Sequence, residues 1–216
     1  MQNASNLGML IVITGAAGAG KDAVMEGFLE DPRISNLHIK KIVSYTDRPM
    51  RPGEKEGVEH YFVNNSKLKE LEKNGEFVEP ITKTGISNKA TPKSEILKLL
   101  NGVNLIWRID PIRGTDVVSG KFFDKLFPKH AKEMNLHTFV FFITAPLPML
   151  EARRKSRDQG QYNKSAYEAR QKAEEPLLKI LEEKAICVYN LDGKLDEAIN
   201  CVVNSVLDFN DKICKK

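Results

Sequence analysis

Gly15-Ala16-Ala17-Gly18-Ala19-Gly20-Lys21-Asp22 combines small side chains with one ammonium group and one carboxylate. The order fits G-x-x-x-x-G-K, a phosphate-binding loop whose backbone N–H groups surround phosphate oxygens while the helix that follows adds its positive end. Lys21 would then reach the β and γ phosphates of ATP, and all of Gly15 to Asp22 would line its triphosphate. The alternative is a plain glycine-rich turn between a strand and a helix. The flanks favour the loop, because Met9 to Thr14 is a continuous apolar, β-branched run, and Ala23, Val24, Phe28 and Leu29 follow at helical spacing.

Asp22 stands where such loops usually carry Ser or Thr. A hydroxyl there ligates Mg²⁺, and a carboxylate is itself a hard-oxygen ligand for that ion, so Asp22 is a candidate metal ligand. Asp22 as the cap of the helix is the other reading, and the sequence leaves both open.

A second group of residues lies downstream, in Ser44-Tyr45-Thr46-Asp47-Arg48-Pro49-Met50-Arg51-Pro52-Gly53-Glu54, followed by Gly57. This segment resembles the guanylate kinase pattern S-x-T-T-R-x-x-R-x-G-E-x-x-G. Weaker resemblance continues at Phe77-Val78-Glu79, at Ile109-Asp110 before Gly114, from Leu150 to Arg170, and at Val188-Tyr189-Asn190. It implies phosphoryl transfer from ATP to GMP. Arg48 and Arg51 would clamp the acceptor phosphate with forked guanidinium groups, although a solvated, charged loop has the same composition. Ser44 would face guanine O6, and Glu79 and Asp110 would accept from its N1–H and 2-amino group. Arg153, Arg157 and Arg170 match the arginines of the family's lid, whose task is to neutralise charge during transfer. The spacing of Arg153 and Arg157 puts both on one helical face, while Arg154 and Lys155 are expected on a salt-bridged solvent face.

The chain also departs from that pattern. His60 occupies the position of a tyrosine that helps bind the acceptor phosphate, with Tyr61 beside it to serve if the strand is shifted. Asn88-Lys89-Ala90 replaces Y-G-S/T, Arg108 replaces the first aspartate of D-I-D, and Lys121 to His137 is longer than the usual connection. Two other readings share parts of the motif set. A loop ending in Gly-Lys-Asp is similar to that of kinases forming ribose 1,5-bisphosphate, which lack the Arg48 to Gly53 signature. A non-catalytic guanylate-kinase-like module would bind phosphorylated protein segments and has no need of Lys21.

These groups need a scaffold. Apolar runs at Val103 to Ile109, Thr138 to Ile143 and Ile186 to Tyr189 join Met9 to Thr14 as buried strands alternating with helices, which predicts an α/β fold with a doubly wound parallel sheet. The expected domain spans 7–210, with its core in 7–38, 92–146 and 182–210. A nucleotide-binding insertion is expected over 39–91, with a short strand at His60 to Val63 and a helix from Ser66 to Asn74, and a helical lid over 147–181.

The 216 residues, 41% hydrophobic and 29% charged, describe an ordinary globular chain, and the net charge of +4 suits an anionic small molecule without excluding nucleic acid. Cys187, Cys201 and Cys214 lack metal-ligand spacing and read as reduced thiols. Met1 to Asn6 lacks the cationic start and apolar run of a secretory signal, so a cytoplasmic protein is expected. The expected partners are ATP with Mg²⁺ and GMP, with no nucleic acid and no membrane; the sequence sets no oligomeric state.

Overall fold

The computed structural model describes residues 7–84, 87–158 and 163–214. In chain order the first half holds β1 (Leu10–Gly15), α1 (Lys21–Glu30), β2 (Lys40–Lys41), β3 (Ser44–Thr46), β4 (His60–Phe62), α2 (Asn65–Lys73), β5 (Thr82–Thr84), β6 (Ser87–Ala90) and α3 (Lys93–Leu97). The second half holds β7 (Leu105–Arg108), α4 (Pro111–Val118), α5 (Lys121–Leu126), α6 (Ala131–Leu136), β8 (Thr138–Thr144), α7 (Leu147–Asp158), α8 (Lys164–Lys184), β9 (Ile186–Tyr189) and α9 (Leu195–Cys214).

The main sheet has five strands in the order β2-β7-β1-β8-β9, all parallel. It is covered on both faces, which explains why β1 is buried at every position instead of alternating with polar residues. Successive side chains point to opposite faces, so β1 feeds two cores at once. Ile11 and Ile13 pack with Val24 and Phe28 of α1 and Val202 and Val206 of α9. Leu10 and Val12 pack on the other side with Phe122, Phe123 and Met134. The expected doubly wound α/β sheet is therefore present.

The long connection from Lys121 to His137 forms α5 and α6, and its Phe122, Phe123, Phe127 and Met134 are buried in the second core. Fully burying each such side chain contributes roughly 1.5–3 kcal/mol, so this stretch is structural. The edge strand β2 consists of two exposed lysines paired with Leu105 and Ile106 of β7. Two lysines give no apolar run, so the sequence pattern alone does not separate this strand from the 39–91 segment.

A second sheet, ordered β4-β3-β6-β5, is built wholly from that segment. Its small core holds Leu68, Phe77 and Ala90. Asp47 fastens the β5–β6 hairpin, accepting from the backbone N–H of Asn88 at 2.7 Å. Helix α2 starts one residue earlier than expected because Asn64 caps it, accepting from the N–H of Lys67 at 2.8 Å.

Helix α4 enters with Pro111 in its first turn and Asp110 as its cap, accepting from the N–H of Arg113 at 3.0 Å. It lies so close to β1 that a Cβ on Gly114 would sit 2.7 Å from Thr14 Oγ1 and 2.8 Å from Thr14 Cγ2. Gly114→Ala should cost about 1–3 kcal/mol through overpacking. Thr14 Oγ1 is buried and has no hydrogen-bond partner among the described residues, so adding Thr14→Ala should recover most of that loss. Denaturant midpoints of the single and double variants test this pairing.

Candidate functional site

The carboxyl ends of β1 and β7 frame the site, in register at Ile13 and Arg108. In parallel sheets ligands bind beyond these strand ends, where the order of strands changes direction. Beyond β1 the chain turns through Gly15 to Gly20 into α1, and the Lys21 ammonium donates to the carbonyls of Gly15 at 2.8 Å and Ala16 at 2.9 Å. Two of the glycines are set by what surrounds them. Gly18 has φ +88°, and a Cβ there would lie 2.8 Å from the carbonyl oxygen of Leu150. Gly20 has φ +80°, and its Cβ would collide with Asn190 Nδ2, the group that donates to the Ala19 carbonyl at 2.9 Å.

Asp22 does not cap α1. The capping position belongs to Gly20, which lacks a side chain, and no side-chain cap bond is made. The Asp22 carboxylate instead meets Arg108, with Oδ1 2.6 Å from Nε.

From Asp22 a cleft of about 420 Å³ opens between the two sheets, lined among others by Ser44, His60, Glu79, Lys89 and Asp110. Ser44 and His60 are paired in register on β3 and β4, and their side chains meet at 3.1 Å. His60 Nε2 lies 3.2 Å from the Lys89 ammonium. Burial first, and then Lys89, push the imidazole below its ordinary pKa, so it is neutral at neutral pH. Lys89 is also pushed down, by burial and then by Arg48, Arg108 and Arg51. Glu79 accepts from the Thr91 N–H at 2.8 Å and pairs with Arg113 at 3.1 Å. Burial pushes its carboxyl up, against the opposing pull of Arg113.

The family model described as guanylate kinase matches residues 8–101. Over these residues the chain matches the guanylate kinase family. The guanylate kinase of Nostoc sp. is 38% identical over 99 residues, 46% of this chain and 47% of that protein. That of Carboxydothermus hydrogenoformans is 30% identical over 151 residues, 69% of this chain and 65% of its own length. The chain spans about half the length of the first curated relatives it matches. In fold it is similar to the crystal structure of guanylate kinase from Anaplasma phagocytophilum, with a TM-score of 0.58 and 23% identity over 94% of this chain and 86% of that one.

Set beside the guanylate kinase pattern, several residues sit elsewhere than expected. Tyr61 does not stand in for the missing tyrosine. His60, not Tyr61, pairs with Ser44 and lines the cleft, and the Tyr61 hydroxyl donates to Glu95 at 2.7 Å; burial and that bond raise its pKa to about 12. Arg48 and Arg51 lie beside the cleft without lining it. Arg48 forks onto Glu54 at 2.7 and 2.5 Å and lies 5.3 Å from the centroid of the Phe62 ring. The Glu54 carboxyl falls to about 2 through the bond from Arg48 and the backbone N–H of Arg51, so the pair persists at neutral pH.

The lid arginines separate. Arg153 donates to Asp192 at 2.6 Å and to the carbonyl of Asn190 at 2.9 Å, whereas Arg157 turns to the Tyr167 hydroxyl at 2.8 Å. Arg170 stands on α8, with its side chain outside the described residues.

Arg154 corrects the sequence reading outright. The spacing puts it on a solvent face with Lys155, which does pair with Glu151 at 2.9 Å, yet Arg154 is only 5% exposed. Its guanidinium donates to the loop carbonyl of Ala17 at 3.2 Å and lies 5.2 Å from the centroid of the Tyr167 ring. The missed signal is Tyr167, whose ring covers the stem and face of Arg154 and so brings the charge inside. Arg154→Met should speed amide exchange across the loop by about tenfold, the effect of losing a charged hydrogen bond, while Lys155→Met leaves it unchanged. Hydrogen exchange followed by mass spectrometry reads the difference.

Proposed function

We propose that the protein transfers the γ-phosphoryl group of ATP to GMP, giving ADP and GDP. One observation carries the reading: the loop that would hold the donor phosphates ends at Asp22, and Asp22 lines the same cleft as Ser44, Glu79 and Asp110, the candidate guanine readers. In this reading the backbone of Gly15 to Gly20 and Lys21 hold the triphosphate. His60 faces the acceptor phosphate, Arg48 and Arg51 would reach it from beside the cleft, and Arg153, Arg157 and Arg170 belong to a lid over 147–181 that closes on the donor.

An oxygen of the acceptor phosphate supplies the electron pair for the new P–O bond. The bond from the γ phosphorus to the bridging oxygen breaks, and its pair leaves with the β phosphate of ADP. A fully ionised monophosphate and a triphosphate become two diphosphates of the same total charge, so the step needs no proton transfer. The chain's task is to position and neutralise, which suits a site made of amides, ammonium and guanidinium groups.

Among the described residues no three His, Cys, Asp or Glu side chains gather as a protein-only metal cage. One carboxylate fits the need, because Mg²⁺ in such sites is held mainly by phosphates and water with one or two protein ligands. Asp22, whose carboxylate lies at the end of the loop and 2.6 Å from Arg108 Nε, would be that ligand. Bound there, Mg²⁺ would offset charge on the donor phosphates. No described helix is long and apolar enough to cross a membrane, which is compatible with the proposed cytoplasmic setting.

A coupled ADP-release assay across GMP, dGMP, AMP, UMP and ribose 1,5-bisphosphate tests the reading. Turnover with GMP well above that with the other ribonucleotides and the sugar phosphate supports it. Turnover with ribose 1,5-bisphosphate alone, or none with any acceptor, removes it.

A further inference from the structure

Two of the chain's departures from the guanylate kinase pattern, Asp22 and Arg108, touch each other. Arg108 is the last residue of β7, after Leu105, Ile106 and Trp107, which are all buried. Its side chain is 46% exposed, and it joins the lining of the cleft. The register with Ile13 sets Arg108 two residues short of the point where β1 gives way to the phosphate loop. The shortest contact runs from Nε to Asp22, the neighbour of Lys21, and among the described residues no hydrogen bond from the two terminal nitrogens of the fork is found. On the other side of the cleft Arg108 is one of the cations acting on Lys89. One guanidinium thus lies between the loop for the donor and the groups facing the acceptor.

We propose that Arg108 is a phosphoryl-contacting residue, and that Asp22, by holding its Nε edge, aims the free edge of the fork at the transferred group. The inference rests on the reading of Gly15 to Asp22 as the donor's phosphate loop. An exposed ion pair adds little to stability, so the consequence of this one lies in direction. A guanidinium fixed along one edge keeps its remaining donors pre-set, and phosphoryl transfer depends on cations that meet the equatorial oxygens without reorganising.

The competing explanation is that Arg108 only neutralises the carboxylate that replaced a hydroxyl. A double-mutant cycle separates the two, because neutralisation has no task once Asp22 is uncharged. The variants are Asp22→Asn, Arg108→Gln and the pair, with Arg108→Lys in the Asn background as the conservative rescue. Two quantities are measured: ATP affinity by calorimetry in EDTA without acceptor, and kcat with GMP and Mg²⁺.

In the Asp22→Asn background, Arg108→Gln should weaken metal-free ATP binding several-fold and lower kcat on the order of 10²-fold, with Arg108→Lys recovering part of both. If the double variant matches Asp22→Asn in both quantities, Arg108 is a counter-ion and the proposal fails. The calorimetric arm involves no acceptor. Should GMP prove not to be the substrate, a several-fold loss of ATP affinity still supports the assignment of Arg108, and an unchanged affinity overturns it.

Discussion

Lys21→Ala is expected to leave a folded protein whose phosphoryl transfer is lowered by at least about 10²-fold, the scale of removing one preorganised donor from a site of developing charge. The fold should survive because the loop is held from several directions. Lys21 supplies two of its bonds, to the carbonyls of Gly15 and Ala16, but Asn190 holds Ala19 and Arg154 holds Ala17. What the variant loses without replacement is the only Lys or Arg within the loop sequence itself. A thermal melt beside steady-state kinetics distinguishes the outcomes. A variant with the parental melt and the parental kcat would take Lys21 out of the chemistry, and with it the case for the donor loop.

The parts of the fold legible in the sequence are those where one physical cause acts alone. Parallel strands buried on both faces must be apolar throughout, so β1 stands out as an unbroken run, while the edge strand β9 shows through its apolar side chains although Ile186 and Tyr189 are exposed. β2 was not legible, because its contribution is a backbone ladder to β7 and its side chains are two exposed lysines. The same holds for α5 and α6. Their phenylalanines signal burial, but only the packed second core shows which surface they cover.

In the site, spacing along the chain located groups without saying what they face. The phosphate loop was legible because its function is mainly backbone geometry imposed by small residues. Arg154 was not, since a buried and an exposed arginine share the same helical spacing, and the ring that buries this one lies on another helix. Asp22 and Arg108 are far apart in sequence and each looked like an isolated substitution, whereas the register of β1 against β7 turns them into one ion pair. Asn88 likewise proves to be a partner of Asp47, tying the β5–β6 hairpin to the end of β3.

Acceptor choice follows from how Glu79 is held. Its two oxygens already accept from the Thr91 N–H and from Arg113, so adenine in place of guanine would not leave a bare buried charge. In the proposed reading discrimination would come from the remaining lone pairs of Glu79 and Asp110. They would accept from guanine N1–H and its amine, and would face an acceptor, the N1 of adenine, if AMP entered. The mismatch costs about 1–3 kcal/mol, so GMP should be preferred to AMP by roughly 10–10²-fold in kcat/KM. Glu79→Gln is the sharper test. Its amide can offer oxygen to Thr91 or to Arg113, but its NH₂ must then oppose the other donor, so the side chain turns and guanine loses an acceptor. The kcat/KM for GMP should fall by about 10–10²-fold, again the scale of one unsatisfied buried polar contact. The KM for ATP should stay the same, because Glu79 has no described contact with Gly15 to Lys21. If Glu79→Gln keeps the parental GMP kinetics, or if the parental protein turns over AMP as well as GMP, Glu79 does not read the base. The cleft would then have to select its acceptor through the two cations that line it, Lys89 and Arg108.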